Sequence, residues 1–292
     1  VLSPDSAPAD DLLDQLVRRL SAFLPRALAG DERSVHQLRV TARRLRAALP
    51  LVAARQGRLV RRARRALKRL TRTAGRARDL DVMAGLFEPR CAGEAGGDDL
   101  SRRRVRHRLR VARRREQRAM AGALLDLDLA RLRADLRRLR ERGGAGLFVA
   151  AARTRAEAER LARRLAGHLA ELGRGFDPER LHRARRLARR LRYVAEAFAG
   201  LRQASSPAVA MLKELQDLMG EVHDTHVLER WLNELGGRAK AQGDHALAAG
   251  AAAEAGFFAE ESRRRHEDFL DRDPRLLAAH ALEAMTAGPQ AA

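Results

Sequence analysis

The chain has 292 residues, one cysteine and a formal net charge of +21, from 59 Lys and Arg against 38 Asp and Glu. That length suits one large domain or two small ones, and the single cysteine, Cys91, excludes an intrachain disulfide and a multi-cysteine zinc site. No apolar run reaches membrane-spanning length and no signal peptide is recognisable, so the expectation is a cytoplasmic protein with no membrane partner.

Ala, Leu and Arg dominate, aromatics are 3%, and β-branched runs are absent, which predicts an all-α fold. Only three of the basic residues are Lys: Lys68, Lys213 and Lys240. The charge is lopsided. Residues 1–146 carry 36 basic and 17 acidic side chains, and residues 147–292 carry 23 and 21. A field of this sign attracts polyanions. Arginine suits phosphate, because its planar fork binds two oxygens and stays charged.

In chain order, Val1–Asp10 is Pro/Ala/Asp-rich and reads as a frayed start. Asp11–Ala29 has the periodicity of a helix with Leu13, Leu16, Leu20 and Phe23 inward and Pro25 as a kink. Asp31 can cap the next helix, which runs to Pro50. After Gly57 a third helix places Val60, Ala63, Leu67, Leu70 and Ala74 on its core side, with Arg61, Arg64, Lys68 and Thr71 one residue along. Pro89–Asp99 reads as a loop. Leu100 to about Leu125 is a helix carrying ten Arg between Arg102 and Arg118, and Asp126–Arg142 is another. Gly143, Gly144 and Gly146 mark a halfway break. Helices then follow at Phe148–Leu172, after Asp177-Pro178, at Ala208–Leu235, from Asp244 to about Asp271 and at Pro274–Ala287, with a loose tail at Gly288–Ala292.

One stretch occurs twice. Val35–Arg46 reads VHQLRVTARRLR, and Leu181–Arg192, 146 positions later, reads LHRARRLARRLR. In the first copy Val35, Leu38, Ala42, Leu45, Leu49 and Val52 form the apolar stripe of an amphipathic helix. His36, Arg39, Arg43 and Arg46 keep the same rhythm one residue later, so at about 100° per residue they make a second stripe beside the core. Arg44 is expected to point to solvent. In the second copy Leu181, Ala184, Ala188, Leu191, Ala195 and Phe198 are flanked by His182, Arg185, Arg189 and Arg192. No Asp or Glu lies between Arg33 and Arg78, or between Arg180 and Ala195. Like charges at these spacings repel by roughly 0.2–0.5 kcal/mol per pair. An arginine-rich composition accounts for a single solvated stripe, but not for His and Arg in the same register twice.

A second match supports tandem halves. LKRLTRTAGRARDLDV (67–82) aligns with LKELQDLMGEVHDTHV (212–227), pairing Lys68 with Lys213, Gly75 with Gly220 and Asp79 with Asp224. The expected organisation is a first helical half, 1–145, and a second, 146–292, as two helical bundles with pseudo-twofold symmetry around a basic central channel. Asp79 and Asp224 are read as structural, capping a helix or orienting an Arg, and Gly75 and Gly220 as sites of close helix packing. His223, His226 and Glu221 have poor metal-ligand spacing, and no phosphate-binding loop or nucleophile elbow is present. No metal, cofactor or catalytic residue is expected.

HQLRVTARRLRAAL, LHRARRLARRLRYVAE, RDLDV and LKELQDLMGEVHD resemble, in order, the motifs of the CHAD family, the conserved-histidine α-helical domain. The resemblance covers essentially the whole chain. It implies two helical bundles with a basic central channel and binding of inorganic polyphosphate; with no catalytic motif, the reading is a non-enzymatic binding module. By position it points to His36, Arg39, Arg43, Arg46, His182, Arg185, Arg189 and Arg192, with Lys68 and Lys213 contributing; the stripe on the third helix adds Arg64. Arg186 stands where the first copy has Val40, and Arg189 where Lys is the family's residue. Polyphosphate granules are a candidate place of association. The alternative is a nucleic-acid-binding helical protein, for which the Arg102–Arg118 helix speaks and against which the scarcity of stacking aromatics stands.

Overall fold

The computed structural model describes residues 7–92 and 100–286. These form eleven α-helices and no named strand: α1 (Ala7–Leu28), α2 (Glu32–Val52), α3 (Arg58–Thr73), α4 (Gly75–Ala92), α5 (Leu100–Leu125), α6 (Leu129–Glu141), α7 (Leu147–Ala170), α8 (Pro178–Leu201), α9 (Pro207–Ala241), α10 (His245–Asp271) and α11 (Pro274–Thr286). No helix among the described residues is long and apolar enough to cross a membrane. Residues 1–6 of the expected frayed start, 93–99 of the expected loop, Ala287 at the expected end of the last helix and the tail 288–292 lie outside the described residues.

Helix starts follow local chemistry. The Asp31 carboxylate accepts the Ser34 N–H at 2.8 Å, satisfying an amide that the first turn of α2 leaves without a helical partner. Asp177 accepts the N–H groups of Glu179 and Arg180 at 3.0 Å, and Pro178 opens α8 where no N–H is needed. Pro25 and Pro50 lie near the C-terminal ends of α1 and α2, and the helices run on past them to Leu28 and Val52.

Three boundaries differ from the sequence expectation. Ala7–Asp10 is helical, because Ala9 is buried and the Asp10 carboxylate accepts the Gly144 N–H at 2.6 Å. Helix α4 runs through Pro89 to Ala92. Helix α9 continues across Gly236 and Gly237 to Ala241, because α10 packs along it and supplies the stability that the glycines withhold.

The two repeated stretches are α2 and α8, and they pack on each other. Val35, Leu38, Ala42, Leu45, Leu49 and Val52 are at most 2% exposed, and Leu181, Ala184, Ala188, Leu191 and Ala195 are equally buried. Phe198, the last of the second stripe, is half-buried. Helix α1 packs on α2 as α7 does on α8; α3 meets α6 and α4 meets α5, as α9 meets α11 and α10. The first half breaks at Ala74 and Gly75 where α9 is continuous.

The two halves nevertheless share their cores. The larger apolar cluster includes Leu45, Leu67, Leu136, Leu165, Leu191 and Met285; the smaller joins Phe87 and Leu109 to Leu228 and Phe258. Among the described residues, both apolar clusters thus draw on the two halves together. The halfway linker is pinned as well. Gly143 has φ +76°, Ala54 N–H donates to its carbonyl, and Ala145 N–H donates to Val52. A Cβ on Gly144 would lie 2.5 Å from the Ala9 Cβ, so only glycine lets the linker pass α1. Buried acids tie the outer helices: Asp135 to Arg62, and Glu254 to both Arg90 and Arg102.

Candidate functional site

Two cavities open along the α2/α8 contact. The first, about 560 Å³, is lined by His36, Arg39, Arg43, His182, Arg185, Arg189, Arg192 and Lys213. The second, about 480 Å³, is lined by Arg43, Arg46, Arg64, Lys68 and Arg189, and by Arg61, Arg65, Arg186 and Arg190. Arg43, Arg189 and Tyr193 belong to both walls, so the cavities meet there. All eleven residues expected from the sequence line one cavity or the other. The reason is the phase of the stripes: a residue one step from a buried position on each of two packed helices faces the rim of their contact.

Carboxylates on these walls are few: Asp79, Asp217 and Asp224 in the first cavity and Glu157 in the second. Three of them are held by cations. Asp224 lies 3.6 Å from Arg185 Nη2, Asp217 2.6 Å from Lys213 Nζ, and Glu157 takes Arg160 and Arg190. The positions of the two core-flanking arginines are set by their neighbours. Arg39 Nη1 donates to the Ala74 carbonyl at the α3/α4 break, and a Cβ on Gly75 would come within 3.3 Å of that nitrogen. The matched Gly220 sits against Arg185, with 4.0 Å between an added Cβ and Nη2. Gly75 makes room for a guanidinium, whereas a Cβ on Gly220 would be in ordinary contact with one.

Burial lowers five of the wall arginines. Burial, then the Arg43 charge, pull Arg39 down to about 10; burial, then Arg43 and Arg185, do the same to Arg189. Arg46, Arg64 and Arg185 are lowered for the same first reason. Groups at about 10 remain charged at neutral pH. Burial and the surrounding arginines push His36 and His182 below the usual imidazole value, and burial holds His223 at about 3. The His182 and His223 rings are 5.3 Å apart. The histidines are thus neutral hydrogen-bonding groups inside an arginine cluster. Arg39, Arg64 and Arg185 each keep a buried Nε, and His36 a buried Nδ1, without an internal partner. Orphan donors in a cationic cavity are what an anion satisfies.

The structure corrects one orientation and enlarges the set. Arg44 does not reach freely into solvent. It is half-buried and holds Glu196 of α8 at 2.6 and 3.2 Å, a partner 152 residues away that a local search for acids cannot find. Arg192, 3.7 Å from the same carboxylate and 5.0 Å above the Tyr193 ring, is a structural anchor as well as a wall residue. Sequence reasoning does not single out Arg78 or Gln216, both in the first cavity. The signal for Arg78 was its place beside Asp79, aligned with His223 beside Asp224. His226 bonds Glu229 at 2.9 Å, and no metal-binding group of three His, Cys, Asp or Glu forms among the described residues. On the arginine-rich α5, Arg102, Arg104, Arg106 and Arg113 are engaged by Glu254, Asp244, Glu88 and Asp81.

No curated protein sequence matches the chain. Among solved structures, the crystal structure of the CHAD domain from the plant Ricinus communis is similar, with a TM-score of 0.71 and 24% identity over 96% of this chain and 91% of that one. PptA from Streptomyces chartreusis is also similar, with a TM-score of 0.67 and 17% identity over 96% of this chain and 100% of that one. At such identities these two likenesses carry the fold alone. The CHAD domain family model matches residues 11–233, well over half of the sequence and including both His/Arg helices; the chain belongs to the CHAD domain family.

Proposed function

We propose that this protein binds inorganic polyphosphate, without catalysis, in a basic channel formed by the two joined cavities. The observation that carries this is the meeting of the cavities at Arg43 and Arg189, which makes one cationic path from His36 and His182 to Arg64 and Lys68. A path suits a linear polymer of phosphates better than a compact anion. Guanidinium groups bind phosphate oxygens in pairs, and release of counterions adds to the affinity. Family membership supports a polyphosphate-associated role. The carboxylates Asp224, Asp217 and Glu157 already hold cations, which favours binding over metal-assisted hydrolysis. The channel needs no cofactor. Polyphosphate granules in the cytoplasm are where such a module would concentrate. The recurrence of Arg39 with Gly75 and Arg185 with Gly220 supports descent of the two halves from one tandem copy.

Nucleic acid is the competing polyanion. The acids that engage α5 lower the free charge on the helix best suited to it. The test is displacement of labelled long-chain polyphosphate by unlabelled polyphosphate, duplex DNA and single phosphate. Displacement by polyphosphate well below the DNA concentration supports the proposal; equal or better displacement by DNA overturns it.

A further inference from the structure

A third cavity, about 680 Å³, lies among α4, α5, α9 and α10. It is unlike the other two. Leu80, Met83, Val227, Leu235 and the chain's sole tryptophan, Trp231, line it as an apolar floor. Its rim mixes signs: Arg76, Arg108, Arg115 and Arg238 stand with Glu116 and Glu234, and Glu234 is 3.8 Å from Arg238. A bare polyphosphate has nothing to lay against that floor, and the two rim glutamates repel it. Yet the cavity is continuous with the arginine site. Asp79, Met83 and Val227 line both.

Following the walls outward gives three chemistries in order: arginines, a carboxylate at the neck, then an apolar floor with an indole. Phosphates suit the first. A carboxylate repels phosphate but accepts hydrogen bonds from sugar hydroxyls, as acidic residues in nucleotide sites do. An indole and aliphatic side chains suit a planar base. We infer that the third cavity takes the nucleoside of a nucleoside polyphosphate whose phosphates occupy the arginine site, with Asp79 at the sugar and Trp231 at the base. This rests on the arginine cavities being a phosphate site.

The probes are ATP and inorganic tripolyphosphate, which present the same number of phosphates. Intrinsic fluorescence reports on Trp231, and displacement of labelled long-chain polyphosphate reports on the arginine site. ATP should quench Trp231 saturably, while tripolyphosphate displaces the label and leaves the fluorescence nearly unchanged. Trp231→Leu should weaken ATP at least about fivefold and leave tripolyphosphate within about twofold, and Trp231→Phe, which keeps a ring and controls for folding, should hold ATP within about twofold. Asp79→Asn should move the two probes in opposite directions, tripolyphosphate tighter and ATP weaker by about threefold. Tripolyphosphate binding with no advantage for ATP, and variants that shift both probes together, would overturn the nucleoside site while leaving the phosphate site standing. Absence of any labelled polyphosphate binding would remove the phosphate site, and this inference with it.

Discussion

Gly75 leaves the space that the Arg39 guanidinium fills: a Cβ there would lie 3.3 Å from Arg39 Nη1, which donates to the neighbouring Ala74 carbonyl. The matched pair is looser, with 4.0 Å between a Cβ on Gly220 and Arg185 Nη2. The two glycine-to-alanine variants should therefore differ. Gly75→Ala should push Arg39 off Ala74 and lower polyphosphate affinity by about threefold, a fraction of a charge-assisted hydrogen bond. Gly220→Ala lies inside α9 in ordinary contact, so it should leave affinity unchanged and raise stability by about 0.5–1 kcal/mol. Binding titrations and denaturant unfolding check the pair; equal effects of both variants would contradict the packing account.

Glu196 ties α2 to α8 by holding Arg44, and sits 3.7 Å from the largely buried Arg192. Glu196→Ala leaves Arg192 with less compensation in a region already crowded with cations. The expected cost is about 3 kcal/mol, the low end for breaking a buried pair, read as a shift in the urea midpoint at constant slope. Arg44→Ala removes one cationic partner of Glu196, which keeps Arg192, and should cost about 1 kcal/mol.

The folded-state value of His223 is about 3, against 6.5 for a free imidazole. Between those values the unfolded chain binds a proton that the folded chain refuses, so stability should fall as pH drops from about 6.5 towards 3. His36 and His182 are lowered in the same direction and add to the effect. His223→Gln should flatten the pH dependence of thermal unfolding. A bound polyanion opposes the arginine charges that lower His36 and His182, so polyphosphate binding should take up protons and strengthen as pH falls. Calorimetry in two buffers of different ionisation enthalpy measures that uptake.

Much of this site was legible because its signal is periodic. The spacing of Leu38, Ala42 and Leu45 fixed which face of α2 is buried, and His36, Arg39 and Arg43 followed one step away. Asp31 and Asp177 marked helix starts through the same carboxylate-to-amide bonds that the structure shows. What was not legible depends on contacts distant in sequence. Glu196 meets Arg44 across 152 residues, and Asp10 meets Gly144 across 134. Local propensity ended α9 at Leu235 because glycine weakens an isolated helix, whereas packing on α10 carries it to Ala241. The shared cores were hidden for the same reason, since periodicity names a buried face but not its partner.

If several guanidinium groups neutralise phosphates together, affinity should fall steeply and linearly with salt on a logarithmic plot, with a slope that grows with chain length. Single phosphate engages few of the cations and should compete only at far higher concentration. Affinity indifferent to salt between 50 and 200 mM, roughly the range over which polyanion binding changes by orders of magnitude, would count against the channel.

The most direct test compares two double variants for binding of long-chain polyphosphate at fixed salt. Arg39→Ala with Arg185→Ala removes one wall cation from each helix of the α2/α8 pair. Arg114→Ala with Arg118→Ala removes the same charge from exposed positions on α5 that line neither arginine cavity. Charge-assisted hydrogen bonds are worth roughly 1.5–3 kcal/mol each, so the first variant should lose at least about tenfold in affinity, and the second no more than about threefold through the long-range field. Equal losses, or normal binding by Arg39→Ala/Arg185→Ala in a folded protein, would contradict the channel.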